Sequence, residues 1–547
     1  MSNYVGMNRF RFLNNSYSLF FLPLFLLLIG TYIFPIRILG LDFSMIPGDM
    51  GDARFNNFIL EHGYQYLIGK VEHYWDASFM YPTKNVIAFS DNLLGTMPIY
   101  AIFRLLDVDR ETSFQLWFLT ICVLNYVFCF FALKKWSNSI ILSSVGAYIF
   151  AFGLFNIGQI YHVQVFPRFL IPFLFYWCWK YLKDKEIKYL TFLLFGIVYQ
   201  FYCGIYLGFF VIYSLLFILI SYVIVYKDLT LIKQFGEIKK IILTLGLIIF
   251  SGLILLPLIL PYIEVSQSLG MREFDEVIYS IPRPSSYFFS TPASTLWGKL
   301  FYTHSAYGFE EWWLHFIFPG ILPWLAIFFL PVVLMMRNID LKKRRTLIFI
   351  STAFLLSIVF CLNIGGVTLY KIIFEIPGFS SMRALNRIIN TQIIFFILIL
   401  VFVFVTLQEK YKWAKVLVYI LPILVIVDNV FDLNWEVRRF SKDEAITNVT
   451  IVKETILKEH DKKFDVIAYS LSEEDKKSHT KVIETHISVM LACQELGLTC
   501  VNGYSGSYPD NYMSFFDHTD ENSLKKWCLE SKININSIQL IQLESSN

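Results

Sequence analysis

Long apolar runs separated by short polar segments make up most of the first 434 residues of the chain. A helix needs about 20 predominantly apolar residues to cross the hydrocarbon core of a bilayer. The pattern predicts an α-helical polytopic membrane protein with about eleven transmembrane helices. The runs lie at about 17–36, 113–133, 139–156, 166–182, 189–204, 206–226, 241–262, 315–336, 346–362, 388–407 and 414–432.

A shorter apolar run at about 93–106 is too brief to span the bilayer comfortably. It predicts an interfacial or re-entrant helix rather than a crossing. Counting it as a full crossing would invert the orientation of every segment that follows.

The positions of the basic residues support this count, because cytoplasmic loops of membrane proteins are enriched in Lys and Arg. With the N-terminus in the cytoplasm, every predicted inside segment is basic, whereas the short outer loop near 157–165 has no Lys or Arg. Eleven crossings then put the C-terminus outside. The basic residues of the inside segments include Arg9, Arg11, Lys134, Lys135, Lys180, Lys183, Lys233, Lys239, Lys343, Arg344, Lys410 and Lys412.

The tail, 435–547, is charged and alternates strand-like with helix-like stretches. It predicts a small extracytoplasmic α/β domain that follows a transmembrane domain at 1–434, whose first outer loop is about 37–112. We expect strands at 464–470, 498–504 and 537–543, and helices at 485–496 and 521–531.

The composition agrees with a chain whose main solvent is lipid. It is 56% hydrophobic and 16% charged, with a mean hydropathy of +0.55, and a soluble domain needs less apolar surface. The net charge of +3 is too small to indicate a nucleic-acid partner. The eight cysteines show no metal-ligand spacing. In an oxidising compartment, Cys493 and Cys500 could pair as a disulfide.

Acidic residues open the first outer loop. Asp49 and Asp52 directly follow a membrane helix, Glu61 and His62 come about three turns later, and Asp91 lies near the far end of the loop. One interpretation is that the first two carboxylates cap and stabilise a helix start. The other is that carboxylates from both ends of the loop converge on one site, since charge at the lipid boundary is costly without a use.

Two further outer segments carry polar groups. The segment around 159–168 contains His162, Gln164 and Arg168, and the loop 363–387 contains Arg383 and Arg387, four residues apart at the start of a membrane helix. The arginines either extend to lipid headgroups or bind a substrate phosphate, which suits the planar guanidinium fork.

The order and common sidedness of these motifs resemble the GT-C superfamily of integral-membrane glycosyltransferases, in particular its uncharacterised bacterial branch. The resembling elements are GDMGDARF, the EH pair, FSDNLLG, HVQVFPRFLIP, PGFSSMRALNR and NGYSGSYPDNY, spread over about residues 45–510. The chain differs from the oligosaccharyltransferase-type members because its tail has no WWD-like motif.

The resemblance implies inverting transfer of a sugar from a polyprenyl-phosphate-linked donor to an envelope glycan, lipid or protein outside the cytoplasm. It makes Asp49 the candidate general base, supported by Asp52 or Glu61. Arg168, Arg383 and Arg387 would neutralise the leaving phosphate. Of the other polar side chains, those expected to bind substrate are His62, Asp91, His162 and Gln164. A divalent cation, Mg or Mn, is used by some family members and is left open.

Two other functions remain open at this stage. A transporter or flippase for lipid-linked sugars should carry polar groups near the bilayer midplane, whereas the polar groups here lie at the outer ends of the predicted helices. A non-catalytic envelope assembly protein would use the tail as a binding module. In each case we expect an integral protein of a bacterial inner or plasma membrane.

Overall fold

The computed structural model describes residues 16–228, 238–270, 272–301, 312–376, 378–435 and 437–542. Arg9, Arg11 and Lys233, which support the predicted orientation, lie outside these ranges.

Helices dominate this part of the chain, and the strands are few and short. In chain order the elements are α1 (Ser16–Thr31), α2 (Arg37–Leu39), β1 (Met45–Pro47), α3 (Asp52–Leu67), α4 (Met97–Leu105), α5 (Arg110–Ser137), α6 (Ile140–Phe152), α7 (Phe155–Gln159), α8 (Ile171–Asp184), α9 (Ile187–Cys203), α10 (Ile205–Tyr226), α11 (Ile238–Leu269), α12 (Phe274–Ile278), α13 (Gly298–Phe301), α14 (Ile321–Met335), α15 (Leu341–Val359), α16 (Tyr370–Phe374), α17 (Ile389–Lys410), α18 (Lys412–Asp428), β2 (Arg439–Ser441), α19 (Lys442–Glu459), β3 (Val466–Tyr469), α20 (His479–Leu496), β4 (Thr499–Cys500), α21 (Met513–His518), α22 (Glu521–Glu530) and β5 (Ile538–Ile541).

A helix occupies each of the eleven apolar runs. Within the described ranges, six helical stretches are long and apolar enough to cross a membrane. α9 and α14 are apolar but shorter. The fold is therefore that of a helical protein with several helices suited to a bilayer. The six stretches are Phe21–Leu39, Arg110–Ser137, Ile140–Gln159, Ile205–Tyr226, Ile238–Leu269 and Leu385–Lys410.

The run at 93–106 forms only the nine-residue helix α4. At 1.5 Å per residue it is far shorter than a bilayer is thick. One face, with Met97 and Tyr100, is buried, whereas Ile102 and Leu105 are exposed. The prediction that this run is too short to span is confirmed.

Two helical stretches lie at the centre of the bundle. The stretch Ile140–Gln159 and the stretch Leu385–Lys410 are almost entirely buried by their neighbours. The stretch Ile238–Leu269, in contrast, leaves most of its apolar surface exposed, as expected of a helix that faces lipid.

The tail contains a three-stranded parallel sheet in the order β4-β3-β5. A parallel pair needs a crossover, and α20 supplies the one between β3 and β4. The three strands and two helices predicted in the tail are confirmed. Its division from the rest of the chain at residue 435 stays a prediction.

The tail packs directly on the first outer loop. β1 of the loop pairs antiparallel with β2 at the start of the tail, with Ile46 opposite Phe440. Further along, Tyr81 N donates to Cys500 O at 3.1 Å, and the Arg110 guanidinium binds Glu495 at 2.9 Å. Loop and tail therefore form one continuous structure.

The eight cysteines are buried free thiols. Cys493 on α20 and Cys500 on β4 lie side by side and interact through their thiols. The disulfide considered between them is not formed.

Candidate active site at the junction of outer loops and tail

A tight turn positions the two aspartates that open the outer loop. Gly48 has a φ of +97°, and a Cβ there would lie 2.7 Å from the Cβ of Ala53, so only glycine fits. Asp49 then accepts a hydrogen bond from Gly51 N at 3.1 Å, and Asp52 is the first residue of α3. Asp49 thus stabilises the turn before α3, whose N-cap residue is Gly51 and not Asp49.

Asp52 has a different role, because both of its oxygens are bound by side chains from distant segments. His162 Nδ1 lies 2.8 Å from Oδ2, and the Tyr504 hydroxyl donates to Oδ1 at 2.7 Å. Burial alone would raise the pKa of Asp52, but the hydrogen bond and charge of His162 and the bond from Tyr504 lower it to about 2. The carboxylate is therefore ionised at any physiological pH.

The same contact fixes the state of His162. Burial lowers the pKa of this histidine, and the positive charge of Arg387 lowers it further, against the opposing effect of Asp52. At neutral pH the ring is uncharged. Since an ionised carboxylate only accepts, Nδ1 carries the proton and Nε2 carries the lone pair. Nε2 has no hydrogen-bond partner in the described part of the chain.

Asp49 lies beside this pair and titrates in an unusual range. Burial raises its pKa, and the negative charge of Asp52 raises it further, to about 6. Two neighbouring carboxylates thus have pKa values on opposite sides of the ordinary one, which is typical of acid–base sites.

Arg387 brings a positive charge to the same place. Its side chain is 7% exposed, its guanidinium lies 5.2 Å from the ring centre of Tyr206, and its Nε has no hydrogen-bond partner. No ion pair holds it among the described residues. Its charge acts on Asp52, His162 and Asp91, so a buried cation faces the acidic cluster.

Arg383 is exposed, and its charge reaches His162 and Tyr508. The expectation that Arg383 and Arg387 both lie at the start of one α-helix is wrong. A short 3₁₀ turn, Leu385–Ile388, contains Arg387, and α17 begins only at Ile389. The two arginines nevertheless approach the same cluster.

Asp91 and Gln164 border the cluster. Asp91 accepts a hydrogen bond from Ile205 N at 2.7 Å and so caps α10. Burial raises its pKa to about 6, against the opposing charge of Arg387. Gln164 accepts from Asn56 Nδ2 at 3.0 Å, which joins the second outer loop to α3. The structure brings both residues to the edge of the site.

Glu61 is not at this site. The Arg104 guanidinium donates two hydrogen bonds to the Glu61 carboxylate, at 2.8 and 3.2 Å, and the Tyr100 hydroxyl donates a third at 2.7 Å. The structure gives the expected catalytic support from Glu61 no geometric basis, because its oxygens are engaged in an ion pair between α3 and α4.

His62 and Arg168 are also core residues. His62 Nε2 bonds to Tyr74 O at 2.8 Å, and the ring stacks on Phe58. Arg168 is fully buried. It donates to Phe150 O, Asn156 and Asn390, and so has no free face for a phosphate or a lipid headgroup.

Tyr504 and Tyr508 were missed as site residues in the sequence, although the motif that contains them stood out. The only local signal is a glycine turn after a short strand, since Tyr504 meets a partner 452 positions away. Only the docking of the tail on the loop brings them together.

A protein-held divalent cation does not fit this donor set. Within the described ranges, no group of three or more His, Cys, Asp or Glu side chains is arranged to hold a metal. Both Asp52 oxygens already accept hydrogen bonds, whereas a hard cation needs several free oxygen ligands.

The cluster therefore offers a proton acceptor and an anion-binding group at one partly open place. No protein-family model matches the chain, and no curated protein is similar to it. A function has to be inferred from the site.

Proposed function

We propose that the chain is an integral-membrane glycosyltransferase of the GT-C type, which transfers a sugar from a polyprenyl-phosphate-linked donor to an envelope glycan, lipid or protein acceptor. In this proposal the helices of the eleven apolar runs cross a bacterial inner or plasma membrane. The N-terminus is cytoplasmic, and the first outer loop and the tail face outward.

One observation carries the proposal. An unpaired buried cation, Arg387, lies within electrostatic reach of a neutral histidine, His162, and of its carboxylate partner Asp52, next to Asp49, whose pKa is about 6. Transfer from a sugar phosphate needs a proton acceptor and a positive charge, because the acceptor must lose a proton while the phosphate gains negative charge.

The proposed transfer inverts the anomeric carbon. The acceptor hydroxyl oxygen forms a bond to this carbon from the face opposite the phosphate, and the bond from the carbon to the phosphate oxygen breaks. Its electron pair leaves with the polyprenyl phosphate, and Arg387 and Arg383 compensate the new charge. The hydroxyl proton passes to the cluster formed by Asp49, Asp52 and His162.

Sidedness supports the same proposal. The first outer loop follows the first apolar helix, and the tail follows the last, yet β1 and β2 pair directly. The site is built from both, so it lies on one side of the membrane. A lipid-linked donor in the outward leaflet would present its phosphate on that side.

The test is a mass-spectrometric profile of envelope glycans and glycolipids. The strains are a deletion and the deletion complemented with wild type, Asp52→Asn or the matched control Asp42→Asn, at equal membrane levels. Asp42 is an exposed carboxylate of the same loop whose side chain bonds only to Ser44.

We expect one sugar to disappear in the deletion, to return with wild type and Asp42→Asn, and to stay absent with Asp52→Asn. If Asp52→Asn restores the sugar fully, the reaction does not use this cluster, and transport of a lipid-linked sugar or a scaffold role explains the deletion better. If no sugar changes in the deletion, the transferase proposal fails.

A further inference from the structure

We infer that His162 is the group that accepts the acceptor's proton, and that Asp52 and the tail residue Tyr504 are positioning residues that hold its ring. The inference rests on the proposed function and assigns the base within the cluster. It departs from the expectation that the first aspartate of the loop, Asp49, is the base.

The hydrogen bonds define the roles. Asp52 cannot readily take a proton, since His162 Nδ1 and the Tyr504 hydroxyl occupy its two oxygens at 2.8 and 2.7 Å. With Nδ1–H directed at Asp52, the lone pair of Nε2 points away from the carboxylate. This is the arrangement in which a carboxylate sets the tautomer and orientation of a catalytic imidazole.

Accessibility agrees with this assignment. The His162 side chain is 23% exposed and that of Asp52 is 25% exposed, so the pair lines an open place rather than the core. Three buried histidines, His62, His315 and His486, instead have ring nitrogens bonded to backbone groups or to a hydroxyl of the core. His162 alone of these four contacts a carboxylate.

The charges that act on the ring come from two segments packed against it. The outer loop supplies Asp52, which favours the protonated ring. The loop before α17 supplies Arg383 and Arg387, which disfavour it. This balance keeps the imidazole neutral before reaction, and the adjacent Asp52 stabilises the imidazolium that forms afterwards.

Proton transfer to His162 completes the transfer of the sugar. As the acceptor oxygen bonds to the anomeric carbon, its proton moves to Nε2 of His162 and gives an imidazolium hydrogen-bonded to Asp52. The bond pair from the anomeric carbon leaves on the phosphate oxygen. The imidazolium later returns its proton to water, so no further co-reactant is needed.

Tyr504 makes the tail part of the active site. Its hydroxyl holds the Asp52 oxygen that His162 does not use. Without that bond, Asp52 carries more of its charge towards His162 and stabilises the imidazolium in the resting state. Tyr504→Phe should therefore move the acid limb of the pH–rate profile to higher pH.

The deciding variant is His162→Asn. The asparagine Nδ2 sits close to the position of Nδ1 and keeps a donor for Asp52, but nothing replaces Nε2. The assay uses full-length protein in detergent with the polyprenyl phosphate that carries the sugar missing from the deletion strain. The acceptor is envelope extract of that strain. The exposed His73→Asn serves as the matched control.

We expect the turnover of His162→Asn to fall by about 100-fold or more, with the apparent KM for the donor within about threefold of wild type. His73→Asn should behave as wild type. If His162→Asn keeps at least a third of the wild-type turnover, the inference is overturned although the proposed function stands. A wild type that transfers no sugar overturns the proposed function itself.

A second measurement tests the pair without any substrate. Diethyl pyrocarbonate modifies uncharged imidazole, and mass spectrometry of the full-length protein follows His162 as the pH is varied. We expect the midpoint of this modification to be lower in Asp52→Asn than in wild type, because the substitution removes the negative charge that stabilises the protonated ring. An unchanged midpoint in Asp52→Asn would show that the pair does not exist.

Discussion

At the scale of single residues, the cluster assigns opposite energetic roles to two aspartates three positions apart. The pKa of Asp49 is raised to about 6 and that of Asp52 is lowered to about 2. The raised pKa means that ionising Asp49 destabilises the folded state, and the lowered pKa means that ionising Asp52 stabilises it. Sites that hold such unfavourable groups usually exchange stability for activity.

The first prediction concerns Asp49→Asn. Because the folded protein binds the Asp49 proton more tightly than the unfolded chain, Asp49 lowers stability as the pH rises from about 4 to about 6, and the loss persists above that range. Asn keeps an acceptor for Gly51 N without the charge. We expect Asp49→Asn to be more stable than wild type at pH 7.5, by at most about 2–3 kcal/mol, with no gain near pH 4.

Thermal unfolding in detergent at the two pH values checks this. Asp52→Asn provides the contrast, because a depressed pKa contributes stability that is present above pH 4 and is lost only as the pH falls through about 2. It should be less stable than wild type at pH 7.5. A stability gain in Asp52→Asn, or none in Asp49→Asn, would contradict the two assignments.

The second prediction concerns Glu61, a residue whose expected role the structure does not support. Glu61→Gln leaves the guanidinium of Arg104 without its carboxylate, which we expect to cost roughly 2–4 kcal/mol of stability. Sugar transfer per folded molecule should be unchanged. The melting temperature and the specific activity, measured on one preparation, separate the two effects. A normal melting temperature with lost activity would show that Glu61 takes part in catalysis.

Residue types and spacing in the sequence were enough to select Asp49, Asp52, His162 and Arg387, which the structure brings into one electrostatic cluster. They were not enough to exclude Glu61 or Arg168. Arg104 pairs with Glu61, and Asn390 accepts a hydrogen bond from Arg168. Neither partner can be recognised in the sequence, since pairing depends on tertiary packing.

At the scale of elements, the apolar runs were the clearest signal. Each forms a helix, in which the backbone polar groups bond to one another, as a bilayer would require. The strands of the tail were also visible as short β-rich stretches. What the sequence did not reveal is that the tail is built onto the first outer loop through β1 and β2.

The third prediction follows from this docking. A protease site inserted beside Glu473, which is highly exposed, would cut the tail between β3 and α20. We expect the fragment that begins with α20 to remain bound, because Arg110 pairs with Glu495 and Arg54 donates to Ser488 at 2.8 Å. Size-exclusion chromatography after cleavage provides the measurement.

A matched variant sharpens this experiment. Arg54→Ala combined with Arg110→Ala removes these two polar contacts while leaving the apolar contacts and the bond from Tyr504 to Asp52. Cleaved fragments of this variant should therefore separate at a lower denaturant concentration than those of wild type. Fragments of the wild type that separate without denaturant would show that the tail is an independently tethered domain.

At the scale of the whole molecule, the contact between loop and tail limits the number of membrane crossings. Both must lie on the same side, so an even number of crossings separates them. Of the six helical stretches that are long and apolar enough within the described ranges, the first precedes the loop and the other five follow it. Five is odd, so if all five cross a bilayer, at least one further segment has to cross as well.

The fourth prediction is that ten helices cross between loop and tail, the extra five being α8, α9, α14, α15 and α18. Reporter fusions test it, since alkaline phosphatase is active only outside the cytoplasm and green fluorescent protein folds to a fluorescent state inside. Fusions after Asp107 and after residue 542 should both give active phosphatase, and a fusion after Asp184 should be fluorescent. Opposite sides for the first two fusions would be incompatible with the sheet formed by β1 and β2, and with any active site that needs both Asp52 and Tyr504.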